Sequence, residues 1–122
     1  MAKKILLADD SPVIQTLSKK ILQGQGYEFK GIKTGTKVLS EIESGEYDLI
    51  ILDIILPGAN GMDLAHEIRG LKDDKQANIP IIAISGNYKN YSQEDFDSAG
   101  INEYLIKPLD YDALVNAVKK YV

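Results

Sequence analysis

Cysteine and tryptophan are absent from this 122-residue chain, and histidine occurs once, as His66. Without cysteine there is no disulfide framework, no thiolate metal site and no cysteine nucleophile, and a reducing compartment such as the cytoplasm is the expected setting. A basic excess is missing too, since 14 Lys and Arg stand against 18 Asp and Glu for a net charge of −4. No positive field is on hand to neutralise a phosphate backbone, so direct binding to nucleic acid is not expected. Long apolar runs are also missing. Lys3-Lys4 lead into Ile5-Leu6-Leu7-Ala8, and Asp9-Asp10 stop that run far short of a signal peptide or membrane span, so no membrane association is expected. What is present is a hydrophobic content of 44%. In a chain of this length that fills one core and leaves little for a second, so a single domain over residues 1–122 is expected.

Short apolar or β-branched runs recur at Lys4–Ala8, Glu28–Ile32, Leu49–Asp53, Ile79–Ser85 and Glu103–Lys107, each followed by a stretch of helical spacing. In the first helix Val13, Ile14, Leu17, Ile21 and Leu22 fall on one face. Ser11 suits its N-cap, Pro12 its first position, and Gly24 and Gly26 its end. The spacing predicts further helices over Thr36–Ser44, Met62–Leu71, Ser92–Ala99 and Asp110–Tyr121, with 72–78 a charged surface loop. Ile50-Ile51-Leu52 and Ile81-Ile82-Ala83-Ile84 are continuous rather than alternating, as central parallel strands covered on both faces require. The fold class is therefore α/β, a doubly wound parallel sheet with right-handed crossovers.

In such a sheet, ligands bind outside the carboxyl ends of the strands. The first strand ends in Asp9-Asp10, the third in Asp53, the fourth in Ser85 and the fifth in Lys107-Pro108, so the chemistry-bearing residues share one edge. Three carboxylates gathered there repel one another and call for raised pKa values or a divalent cation; oxygen ligands without cysteine favour Mg²⁺, with Mn²⁺ also suitable. A carboxylate beside such an ion, faced by an ammonium and a hydroxyl, is equipped to attack phosphorus and form an aspartyl phosphate. Plainer readings exist for each residue. Asp9-Asp10 can open a helix, Ser85-Gly86 can be turn chemistry, and Lys107 can be a surface lysine; the coincidence of all at one edge is what points to a site.

These motifs resemble the receiver domains of bacterial response regulators. The resemblance covers nearly the whole chain: Ile5–Ser11 is similar to the family's first strand and acidic pair, and Asp48–Pro57 with Gly61-Met62 to its phosphoacceptor strand. Ile82–Gly86 and Tyr104–Pro108 are similar to the switch-hydroxyl and closing lysine motifs. The resemblance implies a flavodoxin-like (βα)5 fold with five strands in the order 2-1-3-4-5. It implies phosphorylation of Asp53 by a histidine kinase or histidine phosphotransfer protein. It also implies Mg²⁺ on Asp10, Asp53 and the Ile55 carbonyl, and a metal-bound water on Asp9. Lys107 would contact the phosphoryl oxygens, Ser85 would move toward them, and Tyr104 would turn inward as the aromatic switch. A downstream effector protein would read the fourth helix, fifth strand and fifth helix. Ile55 departs from the polar residue often found there, which implies a drier phosphoryl pocket; Ile55 and Asn87 would border the path of a hydrolytic water.

The other candidates carry less. His66 sits among Leu64, Ala65, Glu67 and Ile68 with no second histidine to complete a ligand set, so a helix-surface role is expected. Gly58, Asn60 and Gly61 match no phosphate-cradling pattern and read as a turn. Tyr88, Tyr91, Tyr104, Tyr111 and Tyr121 crowd the last third of the chain, where some cover the core and some suit a partner surface. Function is expected to be that of a signalling switch, assisting only its own phosphorylation and dephosphorylation. A chain ending after the fifth helix is either a stand-alone relay member or a receiver cut from a larger protein. A Mg²⁺-dependent phosphohydrolase of the haloacid-dehalogenase kind would instead place D-x-D after the first strand, where this chain has adjacent Asp9-Asp10. A phosphorylation-independent module of the same fold would tolerate loss of the acidic pair, Asp53 or Lys107, and all are intact.

Overall fold

The computed structural model describes residues 2–86 and 91–122. Five parallel strands, β1 (Lys4–Ala8), β2 (Glu28–Ile32), β3 (Leu49–Asp53), β6 (Ile81–Ser85) and β7 (Glu103–Ile106), form one sheet in the order β2-β1-β3-β6-β7. This is the 2-1-3-4-5 order that the resemblance implies. Alternate residues of the central strands feed two cores. Leu6, Ile50, Leu52, Ile81 and Ala83 pack on one face, whereas Ile5, Leu7, Leu49, Ile51, Ile82 and Ile84 pack on the other. Both faces are covered, which is why these strands read as continuous apolar runs.

Helix α1 (Pro12–Gly24) and helix α6 (Tyr111–Tyr121) cover the second face, with Leu22, Leu114 and Val118 fully buried there. Helices α2 (Val38–Ser44) and α3 (Gly61–Arg69) cover the first with Ile42, Leu64 and Ile68. Ser11 caps α1 as expected, accepting the Ile14 amide, and Pro12 opens the helix. The expected apolar stripe of α1 needs correction. The buried line runs through Ser18 and Leu22, flanked by Ile14, while Val13 and Leu17 stand 64% and 39% exposed. Positions four apart share one line on a helix, and the small Ser18 lets that line approach the sheet, leaving the 13–17 line outside.

Other boundaries also shift. The fourth sheet strand begins at Ile81 rather than Ile79, because Pro80 offers no amide and the Ile79 carbonyl is taken by Arg69 at 2.7 Å. The second helix starts with a 3-10 turn over Gly35–Lys37. Residues 72–78 are not wholly a loop: Asp73 accepts the Gln76 amide and caps a single helical turn, α4 (Asp74–Ala77). That turn buries none of its residues, so no apolar spacing announces it. Where the sequence reads as a turn around Gly58 and Asn60, a small antiparallel hairpin, β4 (Ile55–Leu56) with β5 (Ala59–Asn60), follows β3. Helix α5 (Gln93–Ser98) begins with a capping box between Ser92 and Asp95. Asn87 and Tyr88 lie outside the described residues. Among the described residues no helix is long and apolar enough to cross a membrane.

Candidate functional site

The register brings the strand ends together. Ala8 stands opposite Leu52, Asp53 opposite Ile84 and Ser85 opposite Ile106, so Asp9, Asp53, Ser85 and Lys107 emerge side by side. Asp9, Asp53 and Ser85 are the functional candidates among the few buried polar side chains, at 0%, 4% and 2% exposure. Asp10 is exposed at the rim.

Lys107 bridges the two buried acids. Its Nζ lies 3.0 Å from Asp53 Oδ2 and 3.1 Å from Asp9 Oδ2. The other oxygen of each acid meets a local backbone amide: Asp53 Oδ1 accepts from Ile55 at 3.2 Å, and Asp9 Oδ1 from Ser11 at 2.7 Å. Burial pushes the Asp53 carboxyl above the usual carboxylate range, against the pull of Lys107 and the Ile55 amide, and the Asp9 charge adds to the rise. Burial alone would lower the Lys107 pKa. Its contacts with Asp53 and Asp9 outweigh that and hold it above its ordinary value, so the ammonium stays charged.

The acidic set suits a hard cation. Ligand oxygens of Asp9, Asp10 and Asp53 lie within 4.8 Å of one another. The Asp9 Oδ2 atom is buried and, among the described residues, meets only the Lys107 ammonium as an ion pair, with no other polar partner. An all-oxygen donor set of this net charge fits Mg²⁺ or Mn²⁺ and not a thiophilic metal.

Around the site, Gly61 allows a close approach that no other residue permits. A Cβ there would stand 2.6 Å from the Asp53 carbonyl oxygen and 2.7 Å from Ile54 Cα. The start of α3 can thus seat on the end of β3, with the Gly61 amide donating to the Ile54 carbonyl at 2.7 Å. Asn60 caps α3 through the Met62 amide and donates its own amide to the Tyr91 hydroxyl at 3.1 Å. Tyr91 in turn sits 6.0 Å from Phe96, and Phe96 stacks on Tyr104 at 4.5 Å. The loop after Asp53 is thereby linked, through Tyr91 and Phe96, to the half-buried Tyr104 on β7. Ile55 is 63% exposed, so it borders the site and does not close it into a dry pocket. His66 is exposed on α3, as expected. Gln15 and Phe96 carry no local signal in the sequence, whereas Asn60, which reads there as a turn residue, also caps α3.

A sequence profile of the response regulator receiver domain matches residues 5–119. The Vibrio cholerae sensor kinase/phosphatase CqsS, for the autoinducer CAI-1, is 33% identical over 98% of this chain, which spans 17% of that protein. The crystal structure of response regulator TrrA from Thermotoga maritima, a complex with Mg²⁺-BeF, is 39% identical with a TM-score of 0.83, covering 98% of this chain and 99% of that one. The receiver domain of sensor histidine kinase PA1611 from Pseudomonas aeruginosa, with magnesium in its active-site cleft, is 30% identical with a TM-score of 0.86, covering 99% and 98%. A flavodoxin-like sheet with an acidic, lysine-bridged edge is the architecture of a two-component signalling switch. This chain belongs to the response regulator receiver domain family. Receiver domains accept phosphoryl groups from histidine kinases or phosphotransfer proteins.

Proposed function

We propose that Asp53 is the phosphoacceptor of this receiver domain, in a Mg²⁺-dependent transfer from a phosphohistidine of a kinase or phosphotransfer protein in the cytoplasm. The observation that carries the reading is the buried Asp53 carboxylate held by Lys107 at 3.0 Å beside two further acids. Asp10, Asp53 and the Ile55 carbonyl would hold the ion, with Asp9 holding a water on it; when bound, the ion neutralises charge on the phosphoryl oxygens. In the transfer the histidine N–P bond breaks, an Asp53 O–P bond forms, and the freed imidazole nitrogen takes up a proton. Lys107 keeps its charge throughout and meets the negative charge of the arriving group. Ser85, buried one strand away, donates to that group once it is present.

The domain is a switch and not a metabolic enzyme: it assists its own phosphorylation and dephosphorylation only. Movement of Ser85 leaves room for Tyr104 to turn inward, changing the face made by α5, β7 and α6, where Ile106 is 45% exposed for an effector protein. The test compares two substrates in Mg²⁺. Stoichiometric uptake from a phosphorylated histidine phosphotransfer protein, without turnover of p-nitrophenyl phosphate, supports the switch. Multiple turnovers of the phosphomonoester would make it a phosphohydrolase.

A further inference from the structure

The three acids of the site are not equally fixed. Asp9 is held by the Ser11 amide and Lys107, and Asp53 by the Ile55 amide and Lys107. Among the described residues no hydrogen bond or ion pair holds the exposed Asp10 carboxylate, so its reach depends on the peptide from which it springs. That peptide has a dedicated support. The Gln15 side-chain amide, one turn into α1, donates to the Asp9 carbonyl at 2.9 Å, to the Ile32 carbonyl at 2.9 Å and, more distantly, to Leu7 at 3.3 Å. The Ile32 carbonyl also accepts the Asp9 amide at 3.1 Å. Both sides of Asp9 are therefore tied to one cluster joining the ends of β1 and β2.

Gly31 on β2 makes the room. A Cβ there would fall 1.8 Å from Gln15 Oε1 and 2.8 Å from its Cδ. Any larger residue would push the flexible Gln15 side chain off its carbonyls while leaving the strand in place.

We propose that Gln15, seated over Gly31, is a positioning residue of the acidic site: its carboxamide orients the Asp9-Asp10 peptide and so sets where the Asp10 carboxylate meets a divalent cation. This rests on the Mg²⁺-dependent reading above. Supports one layer behind metal ligands commonly affect affinity by about 10–100-fold.

The test uses the full chain, Mg²⁺ titrated calorimetrically into the metal-free protein, and acetyl-phosphate labelling read by intact mass. Gln15→Met keeps the length and removes the donor; Gly31→Ala keeps the donor and displaces it. Each is expected to weaken Mg²⁺ binding about 10-fold, with labelling restored to the parent rate at saturating Mg²⁺. Together they should weaken it no more than Gln15→Met alone. Circular dichroism confirms the fold of each variant, and if Gln15→Met does not fold, Gly31→Ala tests the same contact. Parent-like Mg²⁺ affinity in a folded variant overturns the proposal, as do multiplicative losses in the double variant. A parent that neither binds Mg²⁺ nor takes label contradicts the proposed function itself, and is told apart because the variants are not needed to see it.

Discussion

Lys107 Nζ lies 3.0 Å from Asp53 Oδ2, a contact made across 54 residues of sequence. The Lys107 side chain is a quarter exposed and that of Asp53 almost wholly buried. One cation here offsets two buried acids, Asp9 and Asp53, before any metal arrives. The metal-free site is thus left with uncompensated negative charge, and its stability should respond to acid, to charge removal and to divalent ions.

The response to acid follows from burial of Asp53, which raises its folded pKa above the unfolded value. A raised value means that the folded state binds its proton more tightly. The associated stability is fully present below about pH 4, the ordinary aspartate value, and is lost as pH rises through the folded pKa. Asp53→Asn should therefore raise the urea midpoint of the metal-free protein at pH 7, by an amount that shrinks toward zero as pH falls to the acid range. A lower midpoint at pH 7 would mean that Lys107 pairing outweighs the burial cost.

Divalent ions should act by mass action. At a Mg²⁺ concentration ten times its Kd, the folded state should gain about 1.4 kcal/mol. Thermal melts with and without Mg²⁺ measure it, and Asp10→Ala should lose most of the gain. An equal rise in that variant would place the ion elsewhere.

Ile55 should control how long the phosphoryl group persists. Hydrolysis needs a water in line with the Asp53 O–P bond, and isoleucine at the rim offers that water no polar group to orient it. Ile55→Asn should speed first-order decay of the phosphorylated protein about 10-fold, equivalent to about 1.4 kcal/mol of barrier, with little change in uptake. Decay is followed after donor removal at fixed Mg²⁺. An unchanged rate would remove Ile55 from the account.

Arg69 should matter for stability alone. Its guanidinium donates to the Gly100, Ala77 and Ile79 carbonyls and to Asn102 Oδ1, joining α3 to the turns before β6 and β7. Arg69→Met leaves those acceptors without their donor and should cost more than about 2 kcal/mol in urea unfolding. Phosphoryl uptake by the remaining folded protein should be unchanged.

Much of this site was legible in the sequence because a carboxylate at the end of a fully apolar strand, as at Asp53, is costly unless it has a use. Continuous runs such as Ile81–Ile84 likewise marked the middle of the sheet. The strand order was not legible from periodicity, which reports which face a residue takes and not which strand lies beside it; the family resemblance supplied it. Helix α4 escaped because it buries none of its residues and so shows no apolar period, and the exposure of Val13 and Leu17 escaped because the stripe of α1 is wider than the sheet covers. Gln15 escaped for a third reason. Its acceptors sit on two different strands, and only the folded register brings them within reach of one amide.

The central claim concerns one bond, between Asp53 and a phosphoryl group, and intact-mass measurement after incubation with acetyl phosphate and Mg²⁺ tests it most directly. The parent should gain a single phosphoryl group that is labile to mild base, and Asp53→Asn should gain none. The same gain on Asp53→Asn would contradict the assignment.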